Sequence, residues 1–156
     1  MKDQNLVNPW WAALTVWVVV NAVNLLQAAG FLSRVVTGTL ALNHALGFGI
    51  MALAIPAAAA LIAFARAGAG WQQMIGPAVY LAFIALMIAV EHLWPVEFRS
   101  PPRPSILVPY LLLFFGSILL MGLPMFRMDR RLWLVTVVTT ILLLGSMILA
   151  MARGVG

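Results

Sequence analysis

Five long apolar runs, separated by short polar or charged stretches, dominate the chain. They cover about Pro9–Phe31, Thr39–Ala65, Ile75–Trp94, Ser105–Phe126 and Leu132–Met151. Each run has close to the roughly 20 apolar residues that an α-helix needs to cross the hydrocarbon core of a bilayer. Runs such as Leu111–Phe115 are apolar without alternation, unlike the alternating strands of a membrane barrel. The pattern therefore predicts an all-α fold.

The composition indicates that these helices are membrane spans. Hydrophobic residue types make up 64% of the 156 residues and charged types 8%, against roughly 45–50% and about 25% in an average soluble domain. So few polar residues cannot cover the exterior of a water-soluble chain. We therefore predict a polytopic integral membrane protein, a bundle of about five transmembrane helices with short loops. Residues 1–156 are expected to form a single transmembrane domain with no soluble domain.

Basic residues at the ends of the runs predict the orientation. The N-terminal side is called side A, and its basic residues are Lys2, Arg66, Arg127, Arg130 and Arg131. The opposite side, side B, has Arg34, Arg99, Arg103 and Arg153. Five against four favours a cytoplasmic N-terminus by a small margin. We expect the cell (inner or plasma) membrane, with the arginines near anionic lipid head groups. No segment is long enough for a nucleic-acid-binding face.

Polar side chains inside the predicted spans gather toward side B. They are Asn21, Asn24 and Gln27 in the first span, Asn43 and His44 in the second, Glu91 and His92 in the third, and Tyr110 in the fourth. The side A half holds few polar groups, namely Tyr80, Thr136, Thr139 and Thr140. Polar groups are costly in hydrocarbon and are therefore functional candidates. The same residues also have structural interpretations, as hydrogen bonds between helices or as side chains that reach the interface.

The side B residues predict a shared cavity. We expect His44, Glu91 and His92 to face it, with Asn21 or Asn24 completing its wall. The candidate ligand-pocket residues are Asn21, Asn24, Asn43, Glu91 and Tyr110. Two imidazoles from adjacent antiparallel helices are the minimum for bis-histidine haem b, which makes His44 and His92 candidate cofactor ligands. With Glu91 they could instead hold Zn or non-haem Fe, or exchange protons at a quinone site.

Small residues and prolines predict three further features. Ala41, Ala45 and Gly49 form a ridge on which a neighbouring helix can pack closely. Gly47, Gly49 and Pro56 make the second span the one expected to bend, which fits a central position or a ligand pocket. The proline-rich segment from Pro95 to Pro104 predicts a stiff cross-piece on the membrane surface. Alternatively, it covers the side B residues, with Phe98 as its anchor.

Three functions fit these features. The first is an accessory or structural subunit of a larger membrane assembly. The second is a redox membrane subunit, binding haem b or linked to a quinone through His44 and His92. The third is a lipid-binding or small-ligand-binding protein, carrier or membrane enzyme with a polar pocket in one leaflet. The sequence has no nucleophile elbow, phosphate loop or metalloprotease motif, which favours the first function over an enzyme. The expected partners are membrane lipids and other membrane subunits or further copies of the chain.

Overall fold

The structure, a computed structural model, describes residues 9–98 and 103–155, and most of them are helical. Five helices are long and apolar enough to cross a membrane, and no strand occurs among the described residues. The helical segments are α1 (Trp10–Thr37), α2 (Ala41–Ala52), α3 (Ala54–Arg66), α4 (Trp71–Ile88), a π-helical turn (Ala89–Leu93), α5 (Pro104–Met128) and α6 (Arg130–Ala152). The second span comprises α2 and α3, and the third comprises α4 and the π-helical turn. The prediction of an all-α bundle is confirmed.

Local sequence signals set the helix boundaries. Gly38 ends α1 with a positive φ of 68°, and its N–H donates to the carbonyl of Arg34. Pro104 begins α5, at the position where a helix needs no backbone donor. Asp129 separates α5 from α6, and its carboxylate accepts the N–H of Arg131 at 2.8 Å. Such a cap satisfies a backbone donor that a helix N-terminus otherwise leaves open.

The first helix is longer than predicted. It continues past Phe31 to Thr37, because neither a proline nor a glycine with positive φ interrupts it before Gly38. Its 28 residues correspond to about 42 Å at the rise of an α-helix. The hydrocarbon core is only about 30 Å thick. The helix therefore either reaches beyond the hydrocarbon or crosses it at a tilt.

The centre of the bundle is α1. It contacts α2, α3, α5 and α6. In its apolar 18-residue stretch 50% is buried, against 22% in the corresponding stretch of the second span. Of the two interpretations of the second span, a central position or a ligand pocket, the central position is therefore not observed. Small and β-branched side chains explain the difference, because they let several helices approach α1 closely. The buried members of this set are Ala12, Ala13, Val16, Val19, Val20 and Val23.

The bend predicted in the second span coincides with a break in its helix. Its helix is interrupted at Leu53, between α2 and α3. Pro56 lacks the N–H that would bond the carbonyl of Ala52, and its ring crowds that carbonyl. The hydroxyl of Tyr80 donates to the carbonyl of Ile50 at 2.6 Å, just before the interruption. The third span thus supports the second span at its weakest point.

The first and last spans run parallel. Every side-chain hydrogen bond between α1 and α6 joins residues 115 to 118 positions apart. A nearly constant separation of this kind is found in parallel helices, whereas antiparallel partners have a constant sum of residue numbers. From the start of α1 to the end of α6, the chain therefore crosses the membrane an odd number of times.

We expect reporter fusions to place the two ends of the chain on opposite faces of the membrane. A periplasmic-activity reporter fused after Gly156 should give the opposite signal to one fused before Trp10. Fusions in the turns after Gly38 and Gly68 should alternate in the same way, because each turn follows one complete crossing. Equal signals from the two ends would contradict the parallel arrangement of α1 and α6.

The small-residue ridge on α2 contacts α1 at only one of its members. Ala41 and Ala45 are exposed, whereas a Cβ on Gly49 would lie 3.4 Å from Cδ1 of Leu26. We expect Gly49→Leu to lower the free energy of unfolding by about 1 kcal/mol, the low end for overpacking, because the flexible end of Leu26 can move. Unfolding in mild detergent measures this. Gly47→Leu is the control, since nothing lies within 4 Å of a Cβ on Gly47. Equal effects would mean that Gly49 faces lipid.

Candidate functional site

Two asparagines of α1 and three threonines of α6 form a hydrogen-bonded polar seam. Asn21 donates through Nδ2 to Oγ1 of Thr136 at 3.1 Å, and its Oδ1 accepts from the hydroxyl of Thr139 at 2.7 Å. Asn24 donates through Nδ2 to Oγ1 of Thr139 at 3.1 Å and to Oγ1 of Thr140 at 3.0 Å. The polar seam therefore combines residues that the sequence analysis placed in different halves of the bilayer.

The asparagines of the polar seam are buried in the interior of the bundle. Asn24 is 0% exposed and Asn21 is 7% exposed. The indole N–H of Trp17 extends the contact between the helices by donating to the carbonyl of Leu132 at 2.8 Å. Such bonds contribute about 0.6 kcal/mol each on average in membrane proteins. This arrangement is the structural interpretation of the two asparagines, as hydrogen bonds between neighbouring spans.

Glu91 and Tyr110 meet at the side B end of the bundle. The Tyr110 hydroxyl donates to Oε1 of Glu91 at 3.1 Å. Phe98 is 2% exposed, and its ring lies 5.2 Å from that of Tyr110. Phe83 of α4 also packs on Tyr110, with the two ring centroids 5.2 Å apart. Glu91 and Tyr110, two of the candidate ligand-pocket residues, are thus in direct contact.

Phe98 is the anchor that the sequence analysis expected in the proline-rich segment. Its ring packs against that of Tyr110, whereas the neighbouring Glu97 is exposed. Residues 99–102, including Arg99, lie outside the described residues. The cover hypothesis is therefore supported at Phe98.

Glu91 and His92 lie in the π-helical turn and contact different neighbours. The turn is closed by the N–H of Trp94, which donates to the carbonyl of Ala89 at 2.8 Å. Glu91 is half-buried against α5, while His92 is exposed. The His92 ring lies edge-on to Phe48 of α2, with the ring centroids 5.9 Å apart. Turns of this type occur frequently at functional sites.

Both histidines lie on the outer surface rather than in an enclosed cavity. His44 is exposed, and it lies one helical turn before Phe48, so the two side chains are neighbours on α2. Phe48 also contacts His92, so His44, Phe48 and His92 lie on the same side of the bundle. We call the exposed residues His44, Phe48 and His92 the histidine surface.

Asn43 lies apart from the histidine surface. It is half-buried against α1, where a Cβ on Gly30 would collide with its amide group. The residues of the predicted side B cavity are thus divided among four places. These are the polar seam, the Glu91–Tyr110 pair, the histidine surface and the contact of Asn43 with Gly30. The ligand roles assigned to these residues stay predictions.

Metal coordination by His and Glu side chains has limited support. Within residues 9–98 and 103–155, no three His, Asp or Glu side chains come together in a group that could hold a metal ion. The alternative of Zn or non-haem Fe held by His44, Glu91 and His92 is therefore not formed by this part of the chain. Neighbouring residues of a helix point about 100° apart, which separates Glu91 from His92.

A shallow apolar groove opens at the side A end, between α1, α3, α4 and α5. Its lining includes Phe64, Gln73, Met121, Pro124, Met125 and Met128. The empty space in the groove is about 290 Å³, open solvent included. The sequence analysis did not single out this groove. The spacing of the three methionines on one face of α5 was its signal.

Similarity to known proteins gives no indication of the function, which is therefore inferred from these contacts. No family model, curated protein or solved structure matches the chain. What the fold defines is a helical membrane bundle with five candidate spans.

Proposed function

We propose that this protein is an accessory, structural subunit of a larger membrane assembly. The observation that carries the proposal is the division of polar groups between interior and exterior. In the interior, Asn21 and Asn24 are engaged with threonines of the neighbouring span. At the exterior, His44 and His92 are exposed beside Phe48. Internal polar groups thus hold the bundle together, while the histidine surface is available to another membrane component.

The second span is the surface that best fits a partner helix. It is the least buried of the five candidate spans, with 22% of its apolar 18-residue stretch buried. Its side B half exposes the small residues Ala41 and Ala45 beside His44 and Phe48. Small residues permit close helix approach in a membrane, and polar side chains add hydrogen bonds across the contact. An imidazole exposed toward the bilayer is most stable where a partner supplies an acceptor or donor.

The proposal includes a location and a set of partners. We place the protein in the cell (inner or plasma) membrane with a cytoplasmic N-terminus, as the count of basic residues favours. Its partners are other membrane subunits or a second copy of the chain, together with the surrounding lipids. Nucleic acid is not among them, and an enzymatic role is not part of the proposal.

The test is the size of the assembly isolated from native membranes. The tagged protein, expressed at its natural level and solubilised gently, should migrate on a native gel well above the monomer in its detergent micelle. We expect Ala45→Trp to shift it to the monomer position, because the indole would block close helix approach at the second span. Val138→Trp is the matched control, since Val138 is 63% exposed on α6. A wild-type protein that migrates as a monomer would overturn the proposal.

A redox subunit is the second candidate, and the histidine surface is the observation in its favour. His92 contacts the ring of Phe48, and the exposed His44 lies one helical turn before Phe48 on α2. Since both imidazoles are exposed, haem b or a quinone would need a second chain to cover it. An absorption spectrum of the isolated assembly tests this. A Soret band that is lost in both His44→Ala and His92→Ala would support haem b, and a spectrum without a Soret band would remove it.

A further inference from the structure

The exposed residues in the middle of the second span form one continuous stripe. From residue 45 to residue 62, the exposed side chains are Ala45, Phe48, Ala52, Ile55, Ala59 and Ile62. We call these six residues the heptad stripe, because their spacing alternates between three and four residues. This is the repeat by which two helices pack along a shared seam. The helix is interrupted at Leu53, but the stripe stays on the outer face, since Ala52 and Ile55 on either side are both exposed.

Small and large side chains alternate along the heptad stripe. Its three alanines are seven residues apart, and so are its large residues Phe48, Ile55 and Ile62, which are 62%, 75% and 52% exposed. Alanines at a fixed repeat allow a second helix to approach closely, whereas lipid chains do not require them. The outer face of α5 has no such alternation. Its exposed residues from 111 to 126 are all large, namely Leu111, Leu112, Leu119, Leu123 and Phe126.

The neighbouring helix α4 leaves room beside the heptad stripe. It packs against α3, and beyond Gln72 its exposed residues are Ala78, Ala82 and Ala85. The exposed surface of α4 next to the stripe is therefore smooth. A helix that lies on the stripe can approach it without meeting a large side chain of α4.

The heptad stripe is suited to pairing with a copy of itself. Two copies inserted in the same orientation are related by a twofold axis along the membrane normal, which places the stripe of one against the stripe of the other. A charge there would face its own copy and be repelled, and no Asp, Glu, Lys or Arg occurs between Ala41 and Ala65. The exposed His44 fits the same arrangement. A neutral imidazole has one donor and one acceptor, so two copies of it can bond each other.

We propose that the heptad stripe is a dimer interface, at which the second span of one copy packs parallel against the second span of another. From Ala45 to Ile62 the contact would extend over about 26 Å at the rise of an α-helix. This length is most of the roughly 30 Å of hydrocarbon, so the two spans would touch across nearly the whole membrane. The inference rests on the proposed function, because it names a second copy of the chain as the partner at the second span.

Disulfide crosslinking tests the interface, because the chain contains no cysteine. The full-length protein is purified alone, reconstituted at a low ratio of protein to lipid and oxidised mildly. We expect Ala52→Cys and Ala59→Cys to form covalent dimers, since a disulfide needs Cα atoms within about 7 Å of each other. Ala58→Cys is the matched control, because this half-buried alanine has nearly the same depth as Ala59 but points about 100° away. It should give no more dimer than Val138→Cys, which is exposed on α6 and measures random collisions.

The crosslinking pattern decides the proposal. Dimers of Ala58→Cys or Val138→Cys as abundant as those of Ala59→Cys would overturn it, and so would the absence of dimers from both Ala52→Cys and Ala59→Cys. If that absence accompanies a large assembly isolated from native membranes, the partner at the second span is a different subunit, and the proposed function stands without this inference. Stripe-specific dimers of a protein that migrates no larger than a dimer from native membranes would support the interface and contradict the larger assembly.

Discussion

Replacing Gly76 by alanine is expected to lower the free energy of unfolding by about 1–3 kcal/mol, the usual range for overpacking. A Cβ at Gly76 would lie 2.8 Å from the carbonyl carbon and oxygen of Leu120 and from the amide nitrogen of Met121. These atoms belong to the backbone of α5, so they cannot rotate away as a side chain can. The two helices would have to separate along their extensive contact. Reversible unfolding in mixed micelles measures the change.

The control for this prediction is Gly116→Ala on α5. Nothing lies within 4 Å of a Cβ placed on Gly116, and alanine has the higher helix propensity by about 1 kcal/mol. Gly116→Ala should therefore leave stability unchanged or raise it. If both alanine variants behave alike, the close approach of α4 and α5 at Gly76 is contradicted.

The five spans could be predicted because length and hydrophobicity alone decide whether a helix can cross a bilayer. The bend in the second span was also predictable, since Pro56 removes a backbone donor whatever the surrounding fold. The extension of α1 to Thr37 was not, because Ser33 and Arg34 are compatible both with a helix and with a loop. Only the left-handed conformation of Gly38 ends the helix, and a glycine in sequence does not reveal its φ.

The polar seam shows which part of a membrane site a single sequence leaves open. Asn21 and Asn24 were recognised as polar residues on one side of their helix, but their partners depend on which spans are neighbours. Threonine hydroxyls add a second ambiguity, because they can bond their own helix. Thr140, for example, donates to the carbonyl of Thr136 at 2.7 Å while it accepts from Asn24. Parallel packing of α1 and α6 determined the outcome, and neither hydropathy nor spacing reports it.

The predicted side B cavity was inferred from the common depth of His44, Glu91 and His92, near the side B ends of their spans. In the structure Glu91 contacts Tyr110, whereas His92 contacts Phe48. The depth of these residues was therefore predictable, whereas their direction was not.

Thr139→Val is expected to lower the free energy of unfolding by about 1–2 kcal/mol. The hydroxyl of Thr139 donates to Oδ1 of Asn21 at 2.7 Å and accepts from Nδ2 of Asn24 at 3.1 Å. Valine keeps the shape but removes both bonds, which leaves buried amide groups short of partners. Because two bonds between helices are lost, the effect should exceed the average of about 0.6 kcal/mol for one such bond. Unfolding in the same micelles as for Gly76 gives the value.

Thr15→Val is the matched control for this change. The hydroxyl of Thr15 donates to the carbonyl of Trp11 within its own helix, in an exposed contact, so its removal should change stability by less than about 0.5 kcal/mol. A double-mutant cycle with Asn21→Leu then isolates the coupling between α1 and α6. We expect the Asn21 and Thr139 changes to be non-additive, since each removes the same hydrogen bond. Additive effects would mean that the two side chains do not meet, and that the parallel pairing of the first and last spans must be revised.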